Sequence, residues 1–128
     1  MRGKINFVLL IAVGLLNLAP VIGVTSADLL NRLYGIELES PDLLTLMRHR
    51  AVLFGLLGGF ILFAAFRTSL QLLAAIAALV AMSSFVVLAY ISGEVGAELQ
   101  RVVIADVFGC IAIALVLVTN VRNLRDAA

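Results

Sequence analysis

"LQLLAAIAALVA" (Leu70–Ala81) decides the fold. Gln71 aside, the stretch is apolar around a full helical circumference and lacks the in-out alternation of a barrel strand. In lipid, a segment of this kind satisfies its backbone hydrogen bonds internally only as a helix. Reading outward, the apolar stretch continues from Leu70 to Ile91, and Ile5–Val24, Leu46–Phe66 and Val102–Val121 match it. A hydrocarbon layer of ~30 Å needs about 20 such residues per helix. Composition agrees: 63% of the 128 residues are hydrophobic and 13% charged, about half the charged share of a soluble domain. The expected architecture is all-α, an integral membrane four-helix bundle forming a single domain over residues 1–128.

The boundaries carry their own signals. "TSADLLNRLYG" (Thr25–Gly35) opens with Thr25 at capping-box spacing from Asp28 and closes on a glycine. Leu29, Leu30, Leu33 and Tyr34 share one face, with Asp28, Asn31 and Arg32 on the other. This predicts a short amphipathic helix between helices 1 and 2, lying on the membrane or folded over the bundle. Ser40-Pro41-Asp42 starts the second long helix, with Pro41 where a missing N–H costs nothing. Thr68 and Gln71 repeat the capping-box spacing, and Ser92-Gly93-Glu94 turns the chain into the last helix. Arg2 and Lys4 before an apolar run resemble a signal peptide, but that run exceeds the ~7–15 residues of a signal core.

Orientation follows from the basic residues. With the N-terminus inside, Arg2, Lys4, Arg67, Arg122 and Arg125 are cytoplasmic, while Arg32, Arg48, Arg50 and Arg101 are outside. Every acid except Asp126 lies on the outer side: Asp28, Glu37, Glu39, Asp42, Glu94, Glu98 and Asp106. These acids neutralise the outer arginines, so the free positive charge is inside. The expectation is a multi-pass membrane protein with both termini cytoplasmic.

The uncharged run Ala51–Phe66 reaches only about 24 Å at ~1.5 Å per residue. Its helix must therefore begin by about Met47 to span ~30 Å, which puts Arg48, His49 and Arg50 at the lip of the apolar layer. In "SGEVGAELQRVVIADVFGC" (Ser92–Cys110), Glu94, Glu98 and Arg101 follow helical spacing, and Asp106 lies within the apolar run. A charge at this depth costs on the order of 2.5–3.5 kcal/mol and normally faces a partner inside the bundle. Asp106 is thus expected to pair with Arg48 or Arg50, giving a polar cluster of Arg48, His49, Arg50, Glu94, Glu98, Arg101 and Asp106. If the site is catalytic, His49, Glu98 and Asp106 are the candidate proton-transfer groups. A cluster that fixes helix register or binds a ligand is the favoured reading.

Gly55, Gly58 and Gly59 permit close helix approach, to a neighbour within the chain or in another subunit. Ser83 and Ser84 are placed to bond back to carbonyls one turn earlier. Asn6 and Asn17 fall on nearly one face, suited to an inter-helix contact or a polar cavity. One His and one Cys, Cys110, argue against zinc, haem, disulfide or CxxC chemistry, and no metal or cofactor is expected. A net charge of +1 without a basic stripe argues against nucleic acid.

At "LYGIELESPDLLTLMRHRAVLFGLLGGF" (Leu33–Phe60) and "RVVIADVFG" (Arg101–Gly109) the chain resembles small four-helix bacterial inner-membrane proteins of unknown function, loosely near the DoxX-like class. The resemblance runs from about Asn17 to Leu117, with Arg48-His49-Arg50 and Asp106 as its matching polar positions. It implies an architecture and no established activity. Some similar proteins carry a phosphopantetheine adenylyltransferase label, for which this sequence lacks any nucleotide-binding βα unit or HxGH-like motif. The function expected is binding of a lipid-like ligand, or service as a small accessory subunit beside another membrane subunit or a second copy. The alternatives are a membrane enzyme acting on an isoprenoid or sterol-like substrate, and a small oligomeric transporter.

Overall fold

The computed structural model describes residues 2–37 and 39–126, without the side chains of Arg2 and Leu124. Arg2, one of the charges used for orientation, thus has its side chain outside the described residues. Helix α1 (Arg2–Leu18) runs into a 3-10 segment, Ala19–Val24. There Pro20, which has no N–H to give to a preceding turn, ends the regular α ladder. Helices α2 (Ala27–Tyr34), α3 (Pro41–Ala65), α4 (Thr68–Ile91) and α5 (Ala97–Asp126) follow. The described residues contain no strand. The segments Gly3–Val24, Pro41–Ala65, Thr68–Ile91 and Ala97–Asn123 are long and apolar enough to cross a membrane. The chain is a multi-pass helical membrane protein.

Two helix starts differ from the capping expectation. Ser26, not Thr25, caps α2: its hydroxyl accepts from the Leu29 amide at 3.4 Å, while Thr25 donates to the Ile22 carbonyl. Arg67 occupies the N-cap of α4 with no side-chain cap bond, so Thr68 lies one residue too late to serve. Gln71 instead donates to the Ala65 carbonyl at 3.3 Å and ties α4 to the end of α3. The other boundaries follow the sequence. Ser40 accepts from the Leu43 amide at 3.0 Å with Pro41 in the first turn, and Gly35 closes α2 in the left-handed region at φ 63°.

The topology brings both described ends of the chain to one end of the bundle. Thr119 donates its hydroxyl to Asn6 Oδ1 at 2.6 Å, and the Phe7 and Phe66 rings meet edge to face at 5.2 Å. Helix α2 lies at the opposite end. Its Leu30 and Tyr34 are buried while Leu29 and Leu33 remain partly exposed, so it is folded over the bundle and not laid flat beside it.

The core contains Leu10, Val13, Ile61, Ala64, Ala74, Ala75, Ala78, Met82, Ile113 and Val116. On α4 the inward residues are Gln71, Ala74, Ala75, Ala78 and Met82, whereas Leu73, Ile76 and Val80 face outward. Small residues inside and large ones outside is the pattern that lets helices approach in lipid, where burying a leucine gains little. Ser83 and Ser84 bond back to the carbonyls of Val80 and Ala81.

The backbones of α1 and α3 approach closely at Gly58. A Cβ on Gly58 would lie 2.8 Å from both the Gly14 carbonyl oxygen and the Leu18 amide nitrogen. At Gly55 it would strike the Val21 side chain at 2.5 Å, whereas at Gly59 it would meet nothing within 4 Å. Gly55 and Gly58 therefore serve packing within the chain, and Gly59 does not, because it points away from the other helices. We expect Gly58→Ala to lower unfolding stability in detergent by about 1–3 kcal/mol, the cost of overpacking against rigid backbone. Gly59→Ala should leave it within ~0.5 kcal/mol. Chemical-denaturant unfolding of both variants reads the difference, and equal losses would show that α1 and α3 do not meet through Gly58.

Candidate functional site

A cavity of about 320 Å³ lies beneath α2. Every element at that end except α4 lines it: Leu16 and Asn17 of α1, Ala19 and Pro20 of the 3-10 segment, Arg32, Leu33 and Tyr34 of α2, Arg50 and Phe54 of α3, and a face of α5. That face is Glu98, Arg101, Val102, Ala105 and Asp106, a stripe with the three- and four-residue spacing of one helix side. The volume is at the lower end of the ~300–1,000 Å³ typical of small-molecule sites.

Arg50 is the best-fixed charge in the cavity. Its guanidinium carbon lies 4.7 Å from the Phe85 ring centroid, 5.1 Å from Phe54 and 5.4 Å from Tyr34. Phe54 is one turn along the same helix, while Tyr34 and Phe85 reach it from α2 and α4. A guanidinium on an aromatic face gains about 0.5–2 kcal/mol per contact, most where water is excluded. The arginine therefore holds three helices to one point, and it is through Tyr34 that α2 is secured. At Gly35 a Cβ would fall 2.6 Å from the Glu98 carboxylate, so the end of α2 abuts α5.

Asp106 and Asn17 are the buried acceptors. Asp106 is 6% exposed, and among the described residues no hydrogen bond or ion pair reaches its carboxylate. Asn17 is 3% exposed; its amide donates to the Val13 carbonyl at 2.9 Å, and its Oδ1 has no partner. Buried polar atoms are normally satisfied, so two unmet acceptors on one cavity wall are unusual.

The expected ion pair is not formed. No contact of ion-pair length joins Asp106 to Arg48 or Arg50 among the described residues. Arg50 is held by the aromatic rings, and Arg48, ~200° around the helix from it, is exposed. His49 is likewise exposed and outside the cavity lining. That separates it from Glu98 and Asp106, with which it was grouped for proton transfer. Glu94 precedes α5 in the connecting turn and lines a separate hollow with Tyr90 and Gln100. The structure thus brings together Arg50, Glu98, Arg101 and Asp106 of the expected cluster.

Arg32, Tyr34 and Asn17 complete it. Arg32 was assigned to the solvent side of an amphipathic helix, and Tyr34 to its apolar face. Neither position showed that the helix would fold over the bundle. Asn17 did carry a signal, as an amide inside a membrane span. Among the described residues no group of His, Cys, Asp or Glu is placed to hold a metal ion. No protein-family model, no curated protein and no solved structure matches the chain.

Tyr34 reports on the site's electrostatics. Burial pushes its phenol above the ordinary 10.0; the Arg50 charge draws it back and Asp106 adds to the rise. The native state therefore favours the neutral phenol, and the unfolded chain ionises first as pH rises. This contribution to stability is complete below pH 10.0 and is lost as pH climbs through the folded-state value. The wild type should lose stability above that pH more steeply than Tyr34→Phe. The phenolate absorbance difference between the two proteins should emerge above 10.0 as well. A Tyr34 phenolate forming below it would contradict a buried, water-poor site.

Proposed function

We propose that this protein binds the polar head of a membrane lipid, or of a lipid-like molecule, in the cavity beneath α2, acting as a small lipid-binding or accessory membrane subunit. One observation carries the reading: a cavity of about 320 Å³ lined by the buried residues Asp106 and Asn17, whose carboxylate and Oδ1 have no hydrogen-bond partner among the described residues. Retaining such groups unmet is costly, on the order of 1–3 kcal/mol for each neutral group and more for a charged one. A ligand that supplies hydrogen-bond donors removes that cost. The cavity also lies toward one end of four helices long and apolar enough to cross a membrane, an end suited to the headgroup layer. Its mixture of Leu16, Leu33 and Val102 with arginines and acids suits an amphipathic molecule.

We assign this end of the bundle to the outer leaflet of a bacterial inner membrane, with both termini cytoplasmic. Lys4, Arg67, Arg122 and Arg125 at the opposite end support that orientation by the positive-inside rule. The four-helix architecture is compatible with kinship to the DoxX-like class.

Native mass spectrometry of the protein released from membranes or nanodiscs tests the reading. The wild type should carry one lipid adduct per chain. Ala105→Phe, which fills the cavity from α5, should reduce its occupancy at least tenfold, while Val107→Phe on the exposed side of the same helix should not. A bare wild-type chain, or an adduct untouched by Ala105→Phe, would refute it.

A further inference from the structure

The cavity's polar groups define the headgroup more narrowly, and the assignment rests on the lipid-binding reading above. Two different needs meet there. Asp106 and Asn17, residues 6% and 3% exposed, bring a carboxylate and the amide Oδ1, acceptors that no donor among the described residues reaches. Arg50 also lines the cavity, with its guanidinium carbon within 5.4 Å of the ring centroids of Phe54, Phe85 and Tyr34. Contacts of this kind use the charge of the guanidinium and leave its N–H fork able to donate elsewhere. Among the described residues no carboxylate or carbonyl accepts from that fork.

A ligand that serves both sides has an N–H-rich cation close to an anion. A primary ammonium offers three donors, enough for a carboxylate and an amide oxygen together. A phosphate diester matches the arginine fork, since two parallel N–H···O bonds to such a group are among the strongest polar contacts available. Arg101 and Arg32, at the α5 and α2 walls, add positive charge to the cavity. We infer that the cavity takes a phosphoethanolamine group, its ammonium on Asp106 and Asn17 and its phosphate on Arg50.

Competing headgroups each fail on one side. Phosphoglycerol brings no cation, so the Asp106 charge stays buried and repels the phosphate. Phosphocholine brings a cation without N–H, which cannot donate to Asp106 or to Asn17 Oδ1. The small cavity admits the head and leaves the acyl chains against the apolar exterior, where Leu15 and Ile104 are half exposed.

The protein in nanodiscs containing equal amounts of phosphatidylethanolamine, phosphatidylcholine and phosphatidylglycerol supplies the test, read as adduct occupancy after release. Phosphatidylethanolamine should exceed each of the others by about tenfold, roughly one charge-assisted hydrogen bond. Asp106→Asn should flatten that preference while leaving some lipid bound. The wild-type comparison stands alone should the variant fold poorly. Added glycerophosphoethanolamine, which has no acyl chains, separates the two sources of this chemistry. Displacement of the lipid shows that the head suffices, and no displacement shows that the acyl chains contribute to binding; both outcomes fit the assignment provided the preference is present. Equal binding of the three lipids, or a preference for phosphatidylglycerol, would overturn the phosphoethanolamine assignment but not lipid binding. Absence of any adduct would overturn both.

Discussion

The contact of α1 with α3 at Gly58 sets the geometry of the whole molecule. With the Gly14 carbonyl and the Leu18 amide both 2.8 Å from where a Cβ would be, the two backbones leave no room for a side chain. In lipid such an approach is a principal source of helix association, because apolar side chains gain little by leaving one hydrocarbon environment for another. The same turn of α1 carries Asn17, whose carbonyl carbon is 3.1 Å from that Cβ position. This point of close packing thus lies beside the cavity and fixes where its wall stands relative to Arg50, two turns earlier on α3.

From that anchor the site is assembled by aromatic contacts in place of an ion pair. A buried carboxylate and guanidinium in direct contact would neutralise each other and close the cavity. Here Phe54, Phe85 and Tyr34 hold the guanidinium, and Asp106 is left without a contact of ion-pair length. Desolvating two charges is expensive, and the cation–π contacts recover part of that for Arg50 alone. The arrangement leaves both charges able to meet a third molecule, whereas a packed ion pair would only lock the helices. Tyr34 links the two tasks, since it stacks on Arg50 and lines the cavity that α2 covers.

Much of the architecture was legible because each signal was local. The apolar stretches, Ser40-Pro41 at the start of α3 and Gly35 at the end of α2 each act within a turn or two of chain. Where the reading slipped, at Thr25 and Thr68, the error was one of register by a residue. A cap is chosen by which hydroxyl the preceding backbone brings into range; α4 has no side-chain cap, and Gln71 instead donates to the Ala65 carbonyl at the end of α3. For the site, the depth of Asp106 and the position of Arg50 followed from counting residues. Their separation from His49 and Arg48 needed the rotational setting of α3, and a helix apolar on most sides does not reveal which side faces inward.

By itself the sequence determined that the chain forms membrane-spanning helices, and which ionisable groups lie at the edge of the apolar layer. Backbone hydrogen bonding in lipid and ~1.5 Å of rise per residue dictate both. Only the tertiary structure decided that on α4 alanines face inward while Leu73, Ile76 and Val80 face out, and that α2 folds over the bundle. It alone decided that Arg50 is held by rings from three helices and that Asp106 and Asn17 open on a shared cavity. Those outcomes depend on which surfaces of different helices fit closely, a property of pairs of elements that no single segment carries.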